Sequence, residues 1–179
     1  MDATIALIGF GEAGSTFADA AGWEADALAY DINPARRAAM EQAGVVACAT
    51  AECALSDAGL VLSLVTADAA LAAARDCAGL IAQGALWCDM NSVAPDTKRE
   101  AALAIEAAGG RYVDVAVLAP VHPARMNVPL LLSGKAAREA EPILRAAGFT
   151  NVRVVGDDVG RASAIKMIRS VMVLSLIHI

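Results

Sequence analysis

A continuous apolar run, Thr4-Ile5-Ala6-Leu7-Ile8, ends at three glycines spaced G-x-G-x-x-G, Gly9-Phe10-Gly11-Glu12-Ala13-Gly14. Residues 12 to 22 are small and helix-compatible. A run without polar alternation suits a strand buried on both faces, and such strands belong to parallel sheets covered by helices. The rest of the chain repeats this theme. Strand patterns at 27–30, 45–46, 59–64, 85–90, 112–117, 129–134 and 152–155 alternate with helix patterns at 34–44, 51–57, 67–78, 95–108 and 135–147. A long apolar helix is expected from Val159 onward. Alternation of this kind predicts an α/β chain with a Rossmann-type, doubly wound, mainly parallel sheet.

Composition narrows the function classes. The chain is 58% hydrophobic but only 4% aromatic, so a core is easily buried. Net charge is −6 with no basic run, which argues against a nucleic-acid partner. Cys48, Cys53, Cys77 and Cys88 form no C-x-x-C pair, and only His122 and His178 could join them. Cys77 and Cys88 are expected as buried thiols, with no structural metal. Met1-Asp2 leads into the first strand without a basic region, so no signal peptide is expected. No uncharged apolar run reaches the length of a bilayer span, so no membrane partner is expected and cytoplasm is the default.

The glycine turn has the context that gives it meaning: behind a strand and opening a helix. Gly9 permits the tight turn, Gly11 lets the backbone approach a pyrophosphate, and Gly14 lets helix and strand pack closely. The helix N-terminus then receives phosphates through its free N–H groups. Asp31 ends the second strand, 17 residues beyond Gly14. A carboxylate there can accept both ribose hydroxyls of an adenosine, favouring NAD over NADP. Arg36 and Arg37, just downstream, keep NADP open as a counter-charge for a 2′-phosphate. A capping role for Asp31 before Asn33-Pro34 is the plainer alternative. FAD enzymes usually carry Glu at the position of Asp31, and methyltransferases an acid before the turn, where this chain has Leu7-Ile8.

Four blocks in order resemble the N-terminal domain of the 6-phosphogluconate dehydrogenase and β-hydroxyacid dehydrogenase superfamily, in particular an uncharacterised branch with a C-terminal domain of unknown function. They are the glycine turn with Asp31, Leu62-Ser63-Leu64-Val65-Thr66, Asp89-Met90-Asn91-Ser92-Val93-Ala94-Pro95, and Gly160-Arg161-Ala162-Ser163-Ala164-Ile165-Lys166. The resemblance covers the chain to about residue 173. It implies that Gly9, Phe10, Gly11, Glu12, Ala13, Gly14, Asp31, Leu64, Val65 and Thr66 meet NAD or NADP. It also implies that Asn91, Ser92 and Ser170 meet a small-molecule substrate and that Lys166 is catalytic. A lysine amid Ala-Ile-Met-Ile is expected to be partly desolvated, with a lowered pKa.

The resemblance further implies residues 1–158 as the nucleotide domain, residues 159–173 as the start of an interdomain helix, and a helical second domain that makes a homodimer in the full-length protein. Residues 174–179, Leu-Ser-Leu-Ile-His-Ile, match a sequencing adapter read in frame. They are expected to be a non-native tail on a truncated frame. The departures are specific. Leu118-Ala119-Pro120 stands where the family carries Ser-Gly-Gly, Ser170 where it carries Asn, and Arg169 where phosphogluconate enzymes carry His. His122 and Arg125 are candidates for a replacement anion grip. The expected activity is hydride transfer between nicotinamide and a hydroxy acid or related carbonyl compound, with a non-catalytic NAD(P) sensor as the alternative.

Overall fold

The computed structural model describes the backbone of residues 4–177 and the side chains of residues 4–173. The strands are β1 (Thr4–Ile8), β2 (Ala27–Tyr30), β3 (Val46–Ala47), β4 (Ala58–Ser63), β5 (Leu86–Asp89), β6 (Arg111–Val117), β7 (Leu130–Ser133) and β8 (Val152–Gly156). The helices are α1 (Glu12–Ala21), α2 (Arg37–Gln42), α3 (Ala51–Leu55), α4 (Ala70–Ala78), α5 (Pro95–Ala107), α6 (Val121–Ala124), α7 (Ala137–Ala146) and α8 (Arg161–Ile177). One sheet runs β3-β2-β1-β4-β5-β6-β7-β8.

Successive residues of a strand face opposite sides, so each apolar run feeds two cores. Ile5 and Leu7 join Phe17, Met40 and Leu144 on the side of α1, α2 and α7. Ala6 and Ile8 join Leu55, Ala74, Trp87 and Ile105 on the side of α3, α4 and α5. This two-sided burial is why the strands read as unbroken apolar runs. Phe17 is fully buried and meets Phe149 edge to face, with ring centroids 5.0 Å apart. Phe17→Ala is therefore expected to cost about 3–5 kcal/mol, read from the midpoint of a urea unfolding curve.

The sheet is parallel except where β6 meets β7, which run antiparallel. A parallel return there would need a crossover helix, and the link contains only the four residues of α6 and a short 3-10 turn. The helix α6, between two strand patterns, has no counterpart in the sequence pattern. Cys77 and Cys88 are buried as expected, and burial pushes their thiols up to about 11 and about 12. Among the described residues no helix is long and apolar enough to cross a membrane. Met1, through which the leader expectation was read, lies outside the described residues.

The final helix begins at Arg161, two residues later than the sequence pattern indicated. Its backbone stays helical to Ile177, across the point where the native helix was expected to end. The side chains of residues 174–179, on which the tail expectation falls, lie outside the described set. Ile165, Met167, Ile168, Met172 and Val173 of α8 face outward.

Candidate cofactor and active site

Strand order reverses at β1, with β2 on one side and β4 on the other. Open α/β sheets bind ligands at the carboxyl ends of strands beside such a switch point. A cleft of about 630 Å³ lies there, lined by Gly9, Gly11, Glu12, Ala13, Asp31, Leu64, Val65 and Thr66. Eight of the ten residues expected at the cofactor thus come together. The other two act from beneath. Phe10 is wholly buried, and Gly14 packs under the turn.

The three glycines divide the work by geometry. Gly9 sits at φ +94°, and a Cβ there would lie 2.5 Å from the Leu64 carbonyl oxygen. A Cβ on Gly14 would lie 2.8 Å from the Gly9 carbonyl oxygen. A Cβ on Gly11 would meet nothing within 4 Å and would project into open space. Gly11 thus answers to no packing contact, and the space beside it is open. The first-turn N–H groups of the ten-residue α1 have no intrahelical acceptors, so they suit a diphosphate.

Asp31 takes the turn role weighed for it and also faces the cleft. Its Oδ2 accepts the Phe10 N–H at 2.7 Å and its Oδ1 accepts the Asn33 N–H at 2.8 Å, while the carboxylate still lines the cleft. The arginine pair separates. Arg36 lines the cleft, whereas Arg37 turns to Glu41 at 3.5 Å and to the Ala47 carbonyl at 3.5 Å. Ile32, 89% exposed, and Leu80 add apolar surface to the cleft. The donors, the open Gly11 and the half-buried carboxylate together fit a dinucleotide.

Further along the carboxyl edge, Asn91 and Ser92 follow β5. The Lys166 Nζ donates to Ser92 Oγ at 2.5 Å. Burial, with Lys98 nearby, pushes the Lys166 ammonium below the ordinary 10.5, and Asp114 opposes the shift. Asn91 is buried. Its Nδ2 donates to Ser63 Oγ at 3.0 Å and to Asp89 Oδ1 at 2.8 Å, leaving its Oδ1 without a partner among the described residues.

Other expected contacts are not brought in. The Ser170 hydroxyl donates back to the Lys166 carbonyl at 3.0 Å, as serines inside helices do. Arg125 pairs with Asp19 of α1 at 3.2 Å, and His122 is exposed on α6. Arg169 instead donates to the Leu118 carbonyl at 2.5 Å.

Beneath Ser92 and Lys166 lies a buried network the sequence reading missed. Lys98, fully buried, donates to the Asp89 carbonyl at 2.6 Å and Oδ1 at 2.8 Å, and stands 3.6 Å from Asp114 Oδ1. The Tyr112 hydroxyl donates to Asp89 Oδ2 at 2.6 Å. Burial, reinforced by Asp89, drives the Tyr112 phenol far above its ordinary range, so it stays a donor. Asp114 Oδ2 accepts the Gly160 N–H, the Ser163 N–H and the Ser133 hydroxyl, each at 3.1 Å. Its Oδ1 accepts the Ser163 hydroxyl at 2.6 Å. A signal for Lys98 was present, since 98, 101, 102 and 105 share one helix face with buried Ala101, Ala102 and Ile105.

Residues 4–156 match the model of the NAD binding domain of 6-phosphogluconate dehydrogenase, and the chain belongs to that family. A conserved hypothetical protein from Sinorhizobium meliloti 1021 is similar in structure, with TM-score 0.89 and 41% identity over 96% of this chain and 60% of its own. The conserved protein MTH1747, described as structurally similar to 3-hydroxyacid dehydrogenases, gives TM-score 0.81 and 32% identity over 93% of this chain and 62% of its own. Mycobacterium tuberculosis 3-hydroxyisobutyrate dehydrogenase, solved with L-serine, gives TM-score 0.86 at 21% identity over 97% and 60%, and so shares the fold. The chain thus spans about 60% of the length of these structures. No functionally curated protein matches it in sequence.

Proposed function

We propose that this chain is the nucleotide-binding part of an NAD(P)-dependent oxidoreductase that moves a hydride to or from a small hydroxy acid or its carbonyl counterpart. The Lys166–Ser92 contact supports this reading, because it ties a lysine whose pKa is lowered by burial to the loop that follows β5. A nicotinamide supplies hydride exchange when bound. Lys166 then holds the other half of the chemistry, taking the hydroxyl proton during oxidation and returning it during reduction. Ser92 orients the Lys166 amine, and Asn91 Oδ1 offers a buried acceptor to a donor on the ligand. The N–H groups of α1 hold the diphosphate, and Asp31 the adenosine ribose.

The test is a fluorescence titration of the chain with NADH and, separately, NADPH. Saturable binding with NADH preferred is expected. Asp31→Asn keeps an acceptor for the Phe10 N–H, gives up the one for the exposed Asn33 N–H and removes the charge, and should shift the preference toward NADPH by about tenfold, or about 1.4 kcal/mol. A folded chain that binds neither nucleotide would end the cofactor reading. A second reading, a sensor that binds NAD(P) without turnover, is favoured by Leu118-Ala119-Pro120 and by the Ser170 hydroxyl being tied to its own helix. A hydroxy-acid screen on a chain extended to the length of the solved relatives separates the two.

A further inference from the structure

We propose that Lys98 is a positioning residue that locks the Ser92 loop and the Lys166 helix in one register through two carboxylates that it holds at once. The inference rests on reading Lys166 as the group that carries the proton. A lysine buried on the apolar face of α5 is poorly explained by stability. Buried ion clusters rarely outperform apolar packing, and their best-attested use is to specify one arrangement among several. The cluster here has one cation and two carboxylates, Lys98 with Asp89 and Asp114.

Each carboxylate governs one side of the Lys166–Ser92 contact. Asp89 Oδ1 accepts the Asn91 N–H at 2.9 Å and the Asn91 Nδ2 at 2.8 Å, which fixes the backbone next to Ser92. Asp114 accepts N–H groups of Gly160 and Ser163, capping α8 from a neighbouring strand one turn before Lys166. Ser133, bonded to Asp114, also accepts the Ala162 N–H at 3.0 Å. Lys98 lies between the two anchors. A loop and a helix far apart in sequence are thus both tied, through their carboxylate anchors, to one ammonium.

The charges acting on Lys166 are Lys98 of α5, which disfavours its proton, and Asp114 of β6, which favours it. Asp89 of β5 lies beyond Lys98. Arg99 of α5 pairs with Asp96, and Arg169 of α8 is held on the Leu118 carbonyl. Arg161 opens α8.

The chain has three lysines, Lys98, Lys135 and Lys166, so carbon-13 lysine NMR assigns and follows the Lys166 signal without crowding. In the otherwise unchanged chain, Ser92→Ala should alter the Lys166 ionisation constant roughly threefold or more. In Lys98→Met, Asp89→Asn and Asp114→Asn backgrounds the same change should have less than about a 1.5-fold effect. The backgrounds themselves should move Lys166 in opposite directions. Asp114→Asn weakens its hold on the proton and Lys98→Met strengthens it, a sign pattern that general loosening does not produce.

Lys98→Met leaves two buried carboxylates unpaired and is the variant at risk of unfolding. The two asparagine variants each leave Lys98 with one carboxylate, and circular dichroism confirms their fold before titration. An undiminished Ser92→Ala effect in these folded variants overturns the proposal. So does a Ser92→Ala change without effect in the unaltered background. Neither measurement involves turnover, so a failure of the catalytic reading is seen separately.

Discussion

Lys166→Met is expected to lower turnover roughly 10²–10⁴-fold, the usual contribution of a positioned acid–base group. The measurement is made on a chain extended to the length of the solved relatives. NADH affinity should stay within about twofold, because the side chain contributes nothing to the glycine cleft. Methionine keeps the length and apolar stem but cannot exchange a proton. Lys166→Arg should fail almost as badly, since a guanidinium does not deprotonate near neutrality.

The pH dependence has a definite sign. Oxidation needs the neutral amine, so its rate should rise with pH and level off at a pKa below the ordinary 10.5. Reduction needs the ammonium, so its rate should fall as pH rises through the same value. Near-normal turnover in Lys166→Met would remove the residue from the chemistry.

Gly11→Val is expected to abolish dinucleotide binding, lowering NADH affinity at least about a hundredfold, or about 2.8 kcal/mol. The fold should survive. The backbone at Gly11 has φ −81° and ψ −154°, which any residue adopts, and a Cβ there meets no protein atom. The added side chain instead occupies the space that a diphosphate needs against α1. Gly9→Ala should show the opposite pattern. It combines φ +94° with a Cβ 2.5 Å from the Leu64 carbonyl oxygen, so its damage appears as lost stability. Urea unfolding and an NADH titration on both variants distinguish a binding glycine from a folding glycine. Equal NADH affinity in Gly11→Val and the unaltered chain would place the diphosphate elsewhere.

The frame of this fold was legible because its signals are local. An apolar run, three glycines and a carboxylate at the end of β2 all act within the first 31 residues, and each landed where the motif requires. The reversal at β7 was less legible, since Leu130–Ser133 is equally apolar in a parallel or an antiparallel strand. Pairing direction is set by what connects the strands, and α6 was not foreseen. Lys166 was singled out through its resemblance to a known helix, but the network beneath it was not legible. Lys98 stands in a run of charges, Asp96-Thr97-Lys98-Arg99-Glu100, that reads as a solvated face. Only its spacing with Ala101, Ala102 and Ile105 placed it inward. Its partners Asp89 and Asp114 lie 25 residues apart in sequence on neighbouring strands, a separation no local pattern reveals.

The double engagement of Asp31 sets a rule for anyone altering the NAD or NADP preference of this protein. A truncating change such as Asp31→Ala would orphan the N–H groups of Phe10 and Asn33, costing about 1–3 kcal/mol for each donor kept from water. It would also detach the glycine turn from the end of β2. A selectivity swap should therefore retain an acceptor at position 31 and recruit its new cation at Arg36, already beside the cleft, or at Ile32, whose side chain stands in solvent.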